Sequence, residues 1–164
     1  MRLEDAASEK AGAAARAACE LGARPPVVSI TAVEGYDFVH REQVRFRDLD
    51  AMGHVNNAVF ATYVEQARIE YLRHLGVLDG PLYMGMILAR LELDFLEPGQ
   101  PQGEVEIGVR ASRSGTKSFE LEYELQQDGR AIARAKTVLV AYDYEQARSV
   151  VLPDRWREQL AVPA

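Results

Sequence analysis

The stretch AVFATYVEQARIEYLRHL, residues 58–75, decides how this chain folds. Its apolar side chains fall at Val59, Phe60, Tyr63, Val64, Ala67, Tyr71, Leu72 and Leu75. That is the three-to-four spacing of a helix with one broad buried stripe. Asn56 or Asn57 can cap its start and Gly76 its end, and at ~1.5 Å per residue it would run about 27 Å. No other part of the chain carries so long a helical pattern.

Beyond the helix the period changes to two. Tyr83, Gly85, Ile87, Ala89, Leu91, Leu93 and Phe95 read as one apolar face, which Glu97-Pro98-Gly99 ends. Val105, Ile107, Val109 and Ala111 oppose Glu104, Glu106 and Arg110 in the next segment. After the Ser114-Gly115 turn, Phe119, Leu121, Tyr123 and Leu125 alternate with Ser118, Glu120, Glu122 and Glu124. Asp128-Gly129 is a strong hairpin signal, and residues 131–143 supply the last strand. Upstream, Phe38–Phe46 is also extended. Consecutive strands with short turns predict antiparallel pairing. A sheet with one apolar face needs a cover, and the striped helix is the one available. The expected fold is therefore α+β, a curved five-stranded antiparallel sheet wrapped around a long central helix.

Composition narrows the setting. With 19 basic and 25 acidic residues the net charge is −6, which argues against general nucleic-acid or membrane-surface binding. No apolar run approaches the ~20 residues of a membrane span. A lone cysteine, Cys19, leaves no intramolecular disulfide, so a reducing, cytoplasmic setting is the default. His40, His54 and His74 are scattered without ligand spacing, and no metal site is expected. Nine of the first 24 residues are alanine, Arg24-Pro25-Pro26 follows, and no targeting signal is evident. Residues 1–35 are expected to be a mobile extension, 36–146 the domain, and 147–164 a tail with a short closing helix.

At the strand-to-helix junction stands Asp48-Leu49-Asp50-Ala51-Met52-Gly53-His54-Val55-Asn56-Asn57. It holds two carboxylates, a histidine and two carboxamides beside a helix N-terminus. A carboxylate can activate water as a base or attack a carbonyl directly. Unpaired N–H groups at a helix start, with the favourable end of the dipole, can receive the charge that gathers on the carbonyl oxygen. A solvated loop would carry the same residue types. Asn56 and Asn57 would then be caps, and His54 would bond to the loop backbone.

Three segments carry a resemblance: Arg45-Phe46-Arg47-Asp48-Leu49-Asp50, Gly53-His54-Val55-Asn56-Asn57 and Tyr63-Val64-Glu65-Gln66-Ala67-Arg68. With the strands that follow, the chain resembles the hotdog-fold acyl-CoA thioesterases of the 4-hydroxybenzoyl-CoA thioesterase-like family over roughly residues 36–145. The resemblance implies hydrolysis of an acyl-CoA to a free acid and coenzyme A, with no cofactor beyond the coenzyme A of the substrate. Asp50 matches the catalytic aspartate, N–H groups around Asn56 and Asn57 would polarise the thioester, and His54 and Asn57 would position it. Glu65 is the alternative carboxylate, since some members use an acid on the central helix. Its plain reading is an exposed side chain paired with Arg68. Arg110, Arg113 and Lys117 flank one turn and are candidates for the coenzyme A phosphates. The resemblance also implies a homodimer, with tetramers common in the fold. Acyl-carrier-protein thioester hydrolysis, a hydratase reaction and a non-catalytic acyl-CoA-binding module are the rival functions. Met52 stands where plant acyl-carrier-protein thioesterases carry asparagine, which weakens the first of these.

Overall fold

The structure is a computed structural model that describes residues 33–78 and 85–160. Five strands, β1 (Phe38–Gln43), β2 (Met86–Phe95), β3 (Glu104–Ser114), β4 (Ser118–Gln127) and β5 (Arg130–Asp143), lie in the order β1-β3-β4-β5-β2, and every pair is antiparallel. A sixth strand, β6 (Arg148–Ser149), adds two residues against Tyr142 and Asp143. The five expected strands are all present, and β6 is an addition too short to show a period of two. The helix α1 (Asn57–His74) covers the apolar face, and a short helix α2 (Asp154–Gln159) forms in the tail as expected. The β4–β5 hairpin turns at Asp128 and Gly129, whose φ of 50° and 74° suit a left-handed two-residue turn.

Both ends of α1 carry their signals. Asn56, not Asn57, is the N-cap, with its Oδ1 accepting the Ala58 N–H at 2.9 Å. Gly76 follows at φ +68°, its N–H bonded to the Arg73 carbonyl. The buried stripe is Phe60, Tyr63, Val64, Ala67, Tyr71 and Leu72, with Arg68 as an unforeseen seventh member. Its guanidinium reaches Glu65 at 3.4 Å. Against the stripe pack Val105, Ile107 and Val109 of β3 and Phe119, Leu121, Tyr123 and Leu125 of β4, all essentially inaccessible to solvent. Ala133, Ala135 and Thr137 of β5 stand opposite Leu125, Tyr123 and Leu121, so small side chains neighbour large ones and the layer stays level. A register shift after Ala111 frees its N–H, which donates to the Tyr71 hydroxyl at 3.2 Å and ties helix to sheet.

The unbroken apolar face expected over 83–95 is corrected. Tyr83 lies outside the described residues. Within β2, Met86 and Leu88 pair with the buried Ala141 and Leu139, whereas beyond the bulge Leu91 and Leu93 pair with Thr137 and Ala135. The inward positions change from even to odd at Ala89, the unpaired residue. Alternation read from sequence cannot locate such an insertion.

The packed unit also reaches back before residue 36, to Val33, which is buried. Residues 33–36 form a turn on the outer face of the sheet, closed by the Tyr36 N–H to the Val33 carbonyl at 3.1 Å, with Gly35 at φ +81°. Gly108 makes room for it: a Cβ there would sit 2.7 Å from Tyr36 Cγ. Of the expected extension, residues 1–32 lie outside the described residues.

Buried phenols set an alkaline limit on this core. Burial pushes the Tyr123 hydroxyl up to about 12. Burial also raises Tyr63, helped by its bond to Asp48, and Tyr71. Unfolded phenols titrate near 10. Their stabilisation is therefore complete below that pH and is lost as the pH climbs through the higher folded values. The urea midpoint is expected to be level to about pH 9 and to fall steeply between about pH 10 and 12, with Tyr123→Phe making the fall shallower.

Candidate active site

Between β1 and α1 the chain makes a short 3-10 turn, Phe46–Asp48, and then a tight loop. Asp48 holds that loop in place. It is buried at 7% exposure, and its Oδ2 accepts the Arg45 N–H at 2.8 Å and the Tyr63 hydroxyl at 2.9 Å. Its carbonyl accepts the Asn56 N–H at 2.8 Å, which fixes the start of the helix against the loop. Leu49 and Val55 form an antiparallel bridge, so residues 50–54 become a small hairpin end. Gly53 turns it at φ +82°.

At the tip, the Asp50 N–H donates to the His54 carbonyl at 2.8 Å. Asp50 Oδ1 accepts the Met52 and His54 N–H groups at 2.8 and 3.1 Å. Oδ2 has no partner among the described residues. Asp50, His54 and Asn57 together line a cavity of about 280 Å³, whose apolar wall includes Phe60, Phe95, Leu96 and Pro98. Phe60 and Phe95 meet edge to face, 5.3 Å between centroids. Of the helix-start N–H groups, Ala58 bonds to the Asn56 side chain and Val59 to the Asn56 carbonyl. The Asn57 N–H has no acceptor among the described residues. One carboxylate oxygen and one helix-start donor therefore remain available on residues that line one cavity.

The far wall is tied as firmly. The Val55 N–H donates to the Gly99 carbonyl at 2.9 Å, and a Cβ on Gly99 would lie 2.9 Å from Val55. The Leu96 and Glu97 N–H groups share the Ile132 carbonyl at 2.9 and 3.2 Å. Gln127 bonds to the same loop. In the sequence Glu97-Pro98-Gly99 reads only as the end of a strand, and Gln127 is not among the expected site residues. A signal was present: Gln127 occupies the next inward slot after Phe119, Leu121, Tyr123 and Leu125, where an apolar residue is expected.

The other candidates stand elsewhere. Asn56 spends its side chain on the cap. Glu65 is absent from the cavity wall, its carboxylate 60% exposed and paired with Arg68. Arg110 is engaged on the outer face of the sheet. It bonds to Glu122 at 2.8 Å and to the Gly35 carbonyl at 3.1 Å, and it lies 5.0 Å over the Tyr36 ring. Arg113 is 3.6 Å from Glu120, and Lys117 Nζ is 3.4 Å from Ser149. These cations flank the Ser114 end of β3, while the cavity loop follows Gln43, which pairs with Glu104 at the opposite end. At ~3.3 Å per residue that separation is on the order of 30 Å within one chain. Among the described residues no group of three or more His, Cys, Asp or Glu is placed to hold a metal ion. None of their helices is long and apolar enough to cross a membrane.

Comparison with known proteins bears on the family and the fold. Residues 44–160, more than half of the chain, match the family described as the thioesterase-like superfamily. YsmA of Bacillus subtilis (strain 168) is 28% identical over 126 residues, covering 76% of this chain and 86% of its own. A 1,4-dihydroxy-2-naphthoyl-CoA hydrolase of Synechococcus elongatus is 23% identical over 133 residues, 78% of this chain and 98% of its own. Among solved structures, a thioesterase from Thermus thermophilus complexed with coenzyme A and Zn is 38% identical. It superposes at a TM-score of 0.69, over 77% of this chain and 93% of that one. The long helix in an antiparallel sheet is the hotdog architecture of these neighbours; the chain belongs to the thioesterase-like superfamily, and thioester hydrolysis is its class of reaction.

Proposed function

We propose that this chain hydrolyses an acyl-CoA to a free acid and coenzyme A, with Asp50 as the general base or nucleophile. The observation that carries the reading is the open Asp50 Oδ2 in the same cavity as the Asn57 helix start. The Asn57 N–H, at the positive end of α1, would receive the developing oxyanion. His54, held through its main chain by Asp50, would help position the thioester. The two relatives named with coenzyme A, one by its substrate and one by its bound ligand, support this carrier. Coenzyme A itself is the only cofactor-like group the reading needs, and it arrives with the substrate.

The unit that does this is inferred to be a homodimer. β2 is a 10-residue edge strand with no further strand beside it among the described residues, and such an edge favours pairing with a second copy. A second subunit is also what Arg113 and Lys117 would need to meet a nucleotide bound at this cavity. Thiol release from a panel of acyl-CoAs tests the activity. Turnover with at least one acyl group is expected; tight binding without release on every one would replace the enzyme with a binding module. Sedimentation equilibrium should return the mass of two chains, and a monomer that turns over fully would remove the dimer.

A further inference from the structure

The side chain of Gln127 is the most fully used polar group in the described core, and none of its partners belongs to the catalytic loop. It is 4% exposed. Its Oε1 accepts the Gln100 N–H at 2.7 Å, and its Nε2 donates to the carbonyls of Gln102 at 2.8 Å and Gln100 at 3.3 Å. All three contacts fall on the segment after β2 that walls the cavity at Phe95–Gly99. The same end of the β4–β5 hairpin makes a second contribution. The register shift between Leu125 and Gln126 leaves Ile132 unpaired in the ladder, and its carbonyl takes both the Leu96 and the Glu97 N–H.

The segment 96–103 therefore hangs between two fixed supports. On one side are Gln127 and Ile132. On the other, Gly99 meets Val55, and the Gly103 carbonyl receives the Val44 N–H at 3.0 Å and Gln43 Nε2 at 2.7 Å. A glutamine fits this position because the segment offers one N–H and two carbonyls, and a carboxamide supplies one acceptor oxygen and two N–H donors. A buried apolar residue would serve the core equally well but would leave the three loop groups without protein partners.

We propose that Gln127 is a positioning residue that sets where the Leu96–Gly99 wall stands against the acyl group. This rests on the acyl-CoA hydrolase reading and extends it to substrate selection. Asp50 and the helix start have supports of their own in Asp48 and the Leu49–Val55 bridge, and they meet the segment through the Val55–Gly99 contact. Release of the wall should thus act on binding of the acyl portion more than on the chemical step. An acyl group large enough to touch Phe95, Leu96 and Pro98 feels the wall, whereas an acetyl group leaves it untouched.

The test compares Gln127→Leu and Gln127→Glu with the natural protein, on acetyl-CoA and on the bulkiest acyl-CoA it hydrolyses. Glutamate keeps the acceptor for the Gln100 N–H and loses both donors. In either folded variant KM for the bulky substrate is expected to rise about tenfold, with kcat within about threefold and acetyl-CoA KM unchanged. Lowering the pH, so that the new carboxyl gains a proton to donate, should bring the Gln127→Glu KM back toward the natural value, a rescue that Gln127→Leu does not show. A lowered melting temperature with unchanged KM in both variants would make Gln127 a residue of the core only and overturn the proposal. Failure of both variants to fold would do the same. Absence of turnover by the natural protein on every acyl-CoA strikes the functional reading itself, a result read before either variant is made.

Discussion

Asp50→Asn should lower kcat by about three orders of magnitude while leaving the fold intact. The substitution is informative because the two roles of this side chain are divided between its two oxygens. Oδ1 shapes the loop by accepting the Met52 and His54 N–H groups. An asparagine oxygen still accepts both, though as a neutral and weaker acceptor, so the melting temperature should fall by only a few degrees. An amide nitrogen then stands in the place of Oδ2, and it can neither take a proton from water nor attack a carbonyl. Loss of turnover with the loop preserved would therefore report on the chemistry alone. Glu65→Gln is the matched control. Its carboxylate is 60% exposed beside Arg68, and its activity should stay within about twofold of the natural protein. If Asp50→Asn keeps activity within tenfold and Glu65→Gln abolishes it, the reacting carboxylate sits on the helix instead.

The second large effect is on stability. Asp48→Ala removes the acceptor for a buried phenol, that of Tyr63, and for the Arg45 N–H. Each donor left without a partner costs roughly 1–3 kcal/mol. A total of about 3 kcal/mol follows, which for a domain of this size lowers the melting temperature by on the order of 10 °C. Tyr63→Phe removes only the donor and leaves Asp48 with its remaining bond, so it should cost about 1 kcal/mol. The ratio between the two variants, measured by urea titration, is the decisive quantity. Equal losses would mean that the phenol, not the carboxylate, organises the loop. Asp48→Ala should also lower turnover, because the carboxylate fixes the turn whose Asp48 carbonyl receives the Asn56 N–H at the helix start.

These two aspartates show what the sequence discloses and what it withholds. Both sit two residues apart in one polar run, and nothing in their order tells which is buried. The difference arises from Tyr63, fifteen residues on, whose hydroxyl turns Asp48 inward. As a helix position Tyr63 was legible, because the stripe it belongs to repeats every three or four residues. Its polar contact was not, since periodicity records faces and not partners. The same holds for β4. Its alternation from Phe119 to Leu125 predicted the inward face in full, and Gln127 was the visible exception to it. The cap, to within Asn56 or Asn57, and the turn at Asp128-Gly129 were legible because each depends on a few adjacent residues. The cavity was legible on its loop side, and the apolar residues of the helix and of strand 83–95 were the expected lining, of which Phe60 and Phe95 are present. The Leu96–Gly99 part of the wall was not legible, because long-range placement of that kind has no local signature.

Arg110, Arg113 and Lys117 illustrate the converse limit. Their closeness in sequence suggested a phosphate cradle, yet strand geometry sends Arg110 to the outer face, where Glu122, Gly35 and Tyr36 occupy it. Arg113 stands on the same face beside Glu120, so strand carboxylates engage both arginines.

The bulge in β2 has a bearing on how this strand can change length. Leu88 pairs with Leu139 and Arg90 with Val138, so the pairing on either side already runs as though Ala89 were missing. A chain lacking Ala89 would keep every other partner and every inward or outward assignment. Removing a neighbour further along would instead leave an odd step and carry a charged side chain toward the helix. The strand therefore holds one residue in reserve, at a place where its deletion is silent to the pairing with β5.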